Sequence, residues 1–333
     1  MHDVSQINGS TQEGDCHAYP RLAVMNELEV GKLRPTWWSP RVTRIVHRGG
    51  AATATLASIG LPLLAGCGRL DELLYDPLTT PAEWCERRPC VIAGDFVFNE
   101  PLGSFLVFLL AALWVAVGIR FLGTAAAQRS RWWMGIALIL GGLGAAQAGI
   151  SFQAFSYTLK CAGREHCLLT NFFEVGYSLT QAVSVSAMLT AVAYSSARGH
   201  LRTTLLGYSA ANAIVFSVVT AAGVMLPNRM LLSFEVLMLF ALPGLLMVIG
   251  MSAYDFLLSR ERAARSLLIA SLLLLAVQVA YFSYAAAGIT ASLWRDGDGF
   301  YFSENDVLHT GMIAWLWYAT VALGSDLRDR VAR

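Results

Sequence analysis

Residues 303–324 read SENDVLHTGMIAWLWYATVALG and form the last apolar segment of the chain. The segment opens with acids and an amide, passes His309, and continues as an apolar and aromatic run. A helix places Asn305 and His309 one turn apart on one face, with Asp306 on the neighbouring face. Ionisable groups are costly within a membrane and usually serve a function there. The segment therefore predicts a membrane-spanning helix that forms one wall of a polar site.

The whole chain has the composition of a membrane protein. Of its 333 residues, 56% are hydrophobic and 14% are charged, whereas about 25% of residues are charged in soluble domains. Six further apolar segments have the roughly 20 residues that a helix needs to cross a bilayer. They lie at about 102–123, 132–158, 168–195, 203–225, 230–257 and 266–288. We therefore expect an all-α, polytopic bundle of seven transmembrane helices that occupies residues 102–325.

The part of the chain before the bundle divides into three segments. Residues 1–40 are polar and show no periodicity, which is typical of a disordered leader. Residues 41–67 combine basic residues, a short apolar run and a small-residue end, which predicts a signal segment or an extra N-terminal helix. The end of that run also resembles a bacterial lipoprotein processing box, so lipidation of Cys67 is a further alternative. Residues 68–101 are charged and predict an outer loop.

Arginines lie in alternate connections between the predicted helices: Arg129 and Arg131; Arg198 and Arg202; Arg260, Arg262 and Arg265; and Arg328, Arg330 and Arg333. Because basic residues remain on the cytoplasmic side, we expect a multi-pass protein of the cell membrane with a cytoplasmic tail at 326–333. The outer connections then contain two close cysteine pairs, Cys85 with Cys90 and Cys161 with Cys167. Disulfides persist outside the cell. Spacing alone leaves local pairing, pairing between loops and free thiols open.

Charge and motifs argue against several classes of protein. The net charge of +1 gives no electrostatic bias toward nucleic acid. The chain also contains neither a P-loop nor a glycine-rich dinucleotide motif, so we expect no nucleic acid and no nucleotide as partners. The two lysines, Lys32 and Lys160, lie outside the predicted spans, which excludes a retinal Schiff base.

Polar side chains collect near the outer ends of four predicted helices. They are Ser151, Gln153, Ser156 and Tyr157 in the second helix, Thr170, Asn171 and Glu174 in the third, Glu235 in the fifth, and Asn305, Asp306 and His309 in the seventh. Unpaired charges are costly in lipid, so this common depth favours one shared polar cavity. The alternative is that separate side chains reach the interfacial water independently.

Five short motifs stand in order along the chain: EWCE at 83–86, FNEP at 98–101, FSYTLK at 155–160, LLTNFFE at 168–174 and NDVLH at 305–309. Together they resemble the alkaline ceramidases. Residues 83–86 read EWCE where that family has Asp-Trp-Cys-Glu, and FNEP follows at 98–101, before the first helix. FSYTLK at 155–160 is similar to the family's Phe-His-x-Thr-Leu-Lys, and LLTNFFE at 168–174 to its Leu-Leu-Asp-Glu. NDVLH at 305–309 stands where the family has His-x-x-x-His. The resemblance covers residues 83 to about 325.

The resemblance implies a membrane hydrolase that cleaves an amide or ester bond of a ceramide-like membrane lipid, with zinc on three histidines and a calcium ion near the first helix. Bound zinc activates water and polarises the carbonyl. Here the family's histidine positions fall on Ser156, Asn305 and His309, so that only His309 is a histidine. Catalytic zinc usually has three protein ligands, and the zinc site is therefore degenerate. A rescued site would combine His309 and Asn305 with His166 from the inserted loop and with Glu174 or Asp306.

Two further sites follow from the same resemblance. Without zinc, Asp306 or Glu174 would act as a buried acid or base with His309, and Ser156 completes the candidate catalytic set. For calcium, the oxygen donors are the carboxylates of Glu83, Glu86 and Glu100 and the carbonyl of Trp84. Arg88 stands at the family's asparagine position and would instead neutralise these carboxylates in an ion-paired clamp.

The expected function is therefore ceramidase-like hydrolysis of a membrane lipid. The alternative is a non-catalytic, lipid-binding or receptor-like protein of the same fold, which lost the metal.

Overall fold

The computed structural model describes residues 68–94, 96–296 and 299–330. The predicted leader at 1–40 and the signal-like segment at 41–67, with Cys67, lie outside the described residues.

Six helices are long and apolar enough to cross a membrane. They are α1 (Pro101–Gly123), α2 (Arg129–Ala148), α3 (Phe172–Ser196), α4 (Gly199–Met225), α5 (Phe234–Ser259) and α6 (Arg262–Ala286). A seventh helix, α7 (Glu304–Tyr318), continues through the π-helical segment Ala319–Leu323 into the short helix Gly324–Asp326. The described residues are thus predominantly helical, as expected, and six apolar helices support a polytopic membrane protein. That α7 forms a seventh span stays a prediction.

Helix α3 has the central position in this bundle. It packs against α2, α4 and α5, while α7 packs between α6 and α1. Small residues allow α1 and α2 to approach closely, because a Cβ on Gly142 would lie 2.9 Å from the carbonyl oxygen of Ala111. Between α1 and α7, the rings of Trp114 and Trp315 lie 6.0 Å apart, and the Trp315 indole donates to the Ala270 carbonyl of α6. These contacts form the apolar core beneath the polar helix ends.

The end of the bundle at which α1 begins is cross-linked, and we call it the disulfide end. A short helix (Pro81–Glu86) and the hairpin of β1 (Cys90–Ala93) and β2 (Phe96–Asn99) precede α1. Other short helices there are Arg69–Glu72, Ser156–Lys160, Ile289–Ala291 and Ser292–Asp296. Disulfides join Cys85 to Cys90 and Cys161 to Cys167. The pairing is local in both loops, which decides between the alternatives that spacing left open.

The opposite end, which we call the arginine end, is tied together by the C-terminal tail. The Asp329 carboxylate accepts hydrogen bonds from the backbone N–H groups of Arg129 and Ser130, at 2.8 and 2.7 Å, and so caps the start of α2. Arg330 forms an ion pair with Asp255 near the end of α5. Residues 326–330 of the predicted cytoplasmic tail are therefore a packed part of the bundle.

Candidate functional site

A cavity that contains part of the predicted site lies in the middle of the bundle, and we call it the central cavity. It has a volume of about 420 Å³ and is enclosed by α1, α2, α3, α5, α6 and α7. Most of its lining is apolar, including Trp114, Met188, Leu245 and Met312. Its polar lining consists of Gln153, Tyr177, Gln181, Ser184, Gln278, Tyr281, Asn305 and His309. Within the described part of the chain, no acidic or basic side chain other than this histidine lines the cavity.

Helix α7 supplies the two cavity residues that its spacing predicts. Asn305 and His309 both line the central cavity. The Nδ1 atom of His309 is buried and has no hydrogen-bond partner among the described residues. Because His309 lines the cavity, its imidazole is a candidate contact for a molecule bound there.

Asp306 lies on the other side of α7 and does not line the cavity. It is fully buried, and its Oδ2 atom accepts hydrogen bonds from the backbone N–H and the hydroxyl of Ser303, which form a capping box. Its Oδ1 atom and the Nε2 atom of Gln153 each lie 2.8 Å from the position that a Cβ on Gly103 would take. Asp306 is therefore packed against α1 through Oδ1, while its Oδ2 atom takes part in the cap at the start of α7.

Glu174 is paired with a lysine that the sequence placed in a loop. Lys160 is 1% exposed and Glu174 is 7% exposed, and the two side chains form an ion pair. Ser151 donates to the Glu174 carboxylate at 2.8 Å, and Asn171 donates to Ser151 at 2.7 Å. The Lys160 ammonium also donates to the Tyr75 hydroxyl at 3.1 Å. Lys160 therefore balances the charge of the Glu174 carboxylate, and the role of Glu174 as a free acid or base loses support.

The predicted site residues divide between two cavities. Glu174, Thr170 and Lys160 line a second cavity of about 330 Å³ at the disulfide end, which we call the outer cavity. Gln153, Asn305 and His309 line the central cavity, whereas Ser151, Ser156 and Asp306 line neither. The expectation of one shared polar cavity is therefore wrong in part. The polar side chains are divided between two cavities because the aromatic pair Phe152 and Tyr177 lies between them and lines both cavities.

The residues present do not fit a three-histidine zinc site. His166 lies on the disulfide-bonded loop, with Glu165 at 3.8 Å and Glu83 as its electrostatic neighbours, and it does not line the cavity that contains His309. The Ser156 hydroxyl is buried and has no hydrogen-bond partner among the residues that the structure describes. The described segments contain no group of three or more His, Cys, Asp or Glu side chains that could hold a metal ion.

No protein family model, curated protein or solved structure matches this chain. The likeness to alkaline ceramidases thus stays a prediction that rests on the quoted motifs.

At the predicted calcium site, the structure contains the ion-paired clamp. Arg88 binds the buried Glu100 carboxylate at 3.1 Å, and the Tyr301 hydroxyl donates to the same oxygen at 3.2 Å. The guanidinium of Arg88 also lies over the ring of Trp84, 4.1 Å from its centroid. The clamp therefore ties the loop before α1 to the segment before α7.

The other predicted calcium ligands face different partners. The Glu83 carboxylate accepts the backbone N–H of Thr80 at 2.8 Å in a second capping box. The Glu86 carbonyl accepts a hydrogen bond from the indole of Trp294 at 3.0 Å. The Glu83 contact supports the clamp rather than a shared cation, whereas the Glu86 contact involves the backbone carbonyl and not the predicted carboxylate donor.

The clamp predicts a pH dependence of stability. Burial raises the pKa of Glu100 from 4.5 to about 7, although Arg88 opposes the shift. Between these values the folded chain keeps a proton that the unfolded chain has lost, so the free energy of unfolding falls as pH rises. We expect this contribution to fall by up to about 3 kcal/mol from pH 4.5 to 7. Glu100→Gln should flatten that part of the profile, measured by denaturant unfolding of nanodisc-embedded protein with a chelator present.

Calcium addition provides the control for this experiment. If the clamp occupies the site, calcium leaves the unfolding midpoint unchanged at every pH. A calcium-dependent rise that Glu100→Gln abolishes would support the predicted calcium site instead.

Proposed function

We propose that the protein is a seven-span membrane protein that binds an uncharged lipid in its central cavity. The observation that carries this proposal is the lining of the cavity, which is mostly apolar and whose polar groups are amides, hydroxyls and one imidazole. Its volume of about 420 Å³ falls within the range of ligand pockets, about 300–1,000 Å³. Burying a phosphate or carboxylate without a counter-charge would be costly. The lining therefore favours a lipid whose polar group is a hydroxyl, an ester or an amide.

Several polar atoms near the cavity are available to such a group. Both amide atoms of the Gln153 side chain and Nδ1 of His309 are buried without partners in the described structure. Amides and a neutral imidazole each both donate and accept hydrogen bonds. They can therefore pair with a hydroxyl or amide of the lipid whether that group donates or accepts. The proposal corresponds to the alternative hypothesis from the sequence, a non-catalytic, lipid-binding protein of the ceramidase-like fold. It places the disulfide end outside the cell and the tail in the cytoplasm, in accordance with the positive-inside rule.

Exchange of the cavity amides tests lipid binding. Gln278→Leu keeps the approximate volume of the side chain but removes its hydrogen bonds, and it should weaken binding of a monoacylglycerol about tenfold. The measurement is equilibrium binding of a fluorescently labelled monoacylglycerol to the full-length protein in phosphatidylcholine nanodiscs. Gln147→Leu is the matched control, because Gln147 lies on α2 and lines neither cavity. Equal affinity for a fatty-acid anion, with the same loss in Gln278→Leu, would contradict an uncharged ligand.

A lipid hydrolase remains the second candidate. It is supported by His309, which lines the central cavity and whose Nδ1 atom has no hydrogen-bond partner among the described residues. Oδ1 of Asp306 and the Ser156 hydroxyl also lack partners in this part of the chain, but these two residues line neither cavity. In that case His309 would accept a proton from the water that attacks an amide or ester carbonyl of the bound lipid. The same nanodiscs should then release fatty acid from an N-acyl amino alcohol or a monoacylglycerol, and His309→Ala should abolish the release. Binding without release, with and without added zinc, would leave the non-catalytic function.

A further inference from the structure

The outer cavity adjoins the central cavity, because the two share part of their lining. Four side chains line both cavities: Phe152, Tyr177, Phe234 and Leu237. The outer cavity extends from this shared wall along α3 and α4 to residues 229–235, where α4 connects to α5. The two cavities thus follow one another from the disulfide end into the middle of the bundle.

The wall between the cavities is formed largely by one aromatic pair. The rings of Phe152 and Tyr177 meet edge to face, with centroids 5.8 Å apart. Phe152 belongs to the π-helical segment Gly149–Ala154, an irregularity that often occurs at functional sites. The Lys160 ammonium lies 5.3 Å from the centre of the Phe152 ring, on the side of the outer cavity. Phe152 and Tyr177 are thus two of the four side chains that separate the cavities, and a change in their positions would widen the connection.

The outer cavity lies where the bundle is least tightly closed. Helices α4 and α5 pack extensively on α3 but little on each other. Between them, the rings of Phe216 and Phe240 lie 5.3 Å apart, and Phe216 lines the outer cavity. The connection from α4 to α5 exposes Leu226 (71%) and Met230 (73%) beside this gap. Exposed apolar side chains next to apolar spans are suited to contact with lipid, which favours a gap that opens toward the bilayer.

The charged side chains around the gap between α4 and α5 do not favour an anionic lipid headgroup. Lys160 is neutralised by Glu174, and Arg229 faces Asp76 at 3.4 Å. Glu235, at the first turn of α5, adds an acidic group at the rim. An uncharged lipid meets no electrostatic barrier here, whereas a phosphate or carboxylate is repelled by Glu235.

We propose that the outer cavity is a lateral entrance through which an uncharged lipid passes from the bilayer between α4 and α5, and that Phe152 and Tyr177 gate its passage into the central cavity. This inference rests on the proposed lipid-binding function. The outer cavity then acts on the rates of binding and release, while the central cavity determines the affinity.

Filling the outer cavity tests the entrance. Thr220 is buried on α4, lines the outer but not the central cavity, and its hydroxyl has no partner among the described residues. Thr220→Phe should slow association and dissociation of the lipid by the same factor, about tenfold or more, and leave Kd unchanged. Phe152→Ala should accelerate both steps. Thr204→Phe, the same exchange at an exposed position of α4, should change neither rate.

The rates are followed by stopped-flow energy transfer from tryptophan to a pyrene-labelled monoacylglycerol in phosphatidylcholine nanodiscs, since Trp114 lines the central cavity. Wild-type rates in both Thr220→Phe and Phe152→Ala, at normal Kd, would overturn the entrance and leave the proposed function intact. A changed Kd in Thr220→Phe with an unchanged association rate would also overturn it, since the outer cavity would then be part of the binding site. No saturable binding by the wild-type protein would overturn the proposed function itself.

Discussion

Replacing Lys160 with methionine should lower the free energy of unfolding by about 3–5 kcal/mol, because it leaves the buried Glu174 carboxylate without its cation. The ammonium makes the ion pair with Glu174 and hydrogen bonds to the Tyr75 hydroxyl and the Leu169 carbonyl, both at 3.1 Å. Methionine has a similar length and preserves packing, so the loss reports on the charge. The measurement is denaturant unfolding of the full-length protein in detergent micelles.

Two further variants make this result specific. The double variant Lys160→Met with Glu174→Leu removes both charges and should recover much of the stability, since an apolar pair can replace a buried ion pair. Arg164→Met removes a solvent-exposed ion pair with Asp71, at 3.2 Å, and should cost less than about 1 kcal/mol. If Lys160→Met proved no more harmful than Arg164→Met, Glu174 would not depend on Lys160 and would again be a candidate free acid or base.

The second large effect is expected at the arginine end. Arg330→Met should lower the free energy of unfolding by about 2–4 kcal/mol, because Asp255 is buried and loses its cation. Arg330 also donates to the carbonyl of Ser196 at the end of α3, and Arg202 of α4 donates to the carbonyl of Arg330, both at 2.9 Å. One tail residue thus joins three helices.

The tail prediction is checked by unfolding and by hydrogen exchange. Exchange at the ends of α3 and α5 should accelerate in Arg330→Met, because the tail no longer holds these ends together. Asp255→Asn in the same chain should restore part of the stability. Arg328→Met is the control, since Arg328 is exposed in the same tail. Equal behaviour of the two arginine variants would show that the tail contributes little to closing this end.

The helix ends show how far local sequence determines structure. The last apolar segment, at 303–324, corresponds to a helix that begins at Glu304, because Ser303 and Asp306 form a capping box there. The third span begins at Phe172 rather than at 168, because the Asn171 side chain caps it by accepting two backbone N–H groups. Apolar length predicts that a helix exists, and capping residues determine where it starts.

Lys160 shows where that reasoning fails. A lysine that ends an apolar span reads as an interfacial residue, whose long side chain reaches water. Here the loop closed by Cys161 and Cys167 covers it, and the start of α3 places Glu174 beside it. Glu174, in the next predicted span, is the sequence signal that could have indicated a buried ion pair with Lys160.

The sequence by itself determined the membrane character, six apolar helices and the polar residues at their ends, because composition and periodicity are local properties of the chain. It also predicted that Asn305 and His309 share one face, since helix geometry alone places them there. Only the tertiary structure decided that Glu174 is neutralised, that Arg330 reaches Asp255 and that Phe152 and Tyr177 divide the polar residues between two cavities. The physical reason is that an ion pair or a cavity wall forms between side chains that are far apart in the sequence. Which of them meet, and are buried from water, is decided by the packing of the helices.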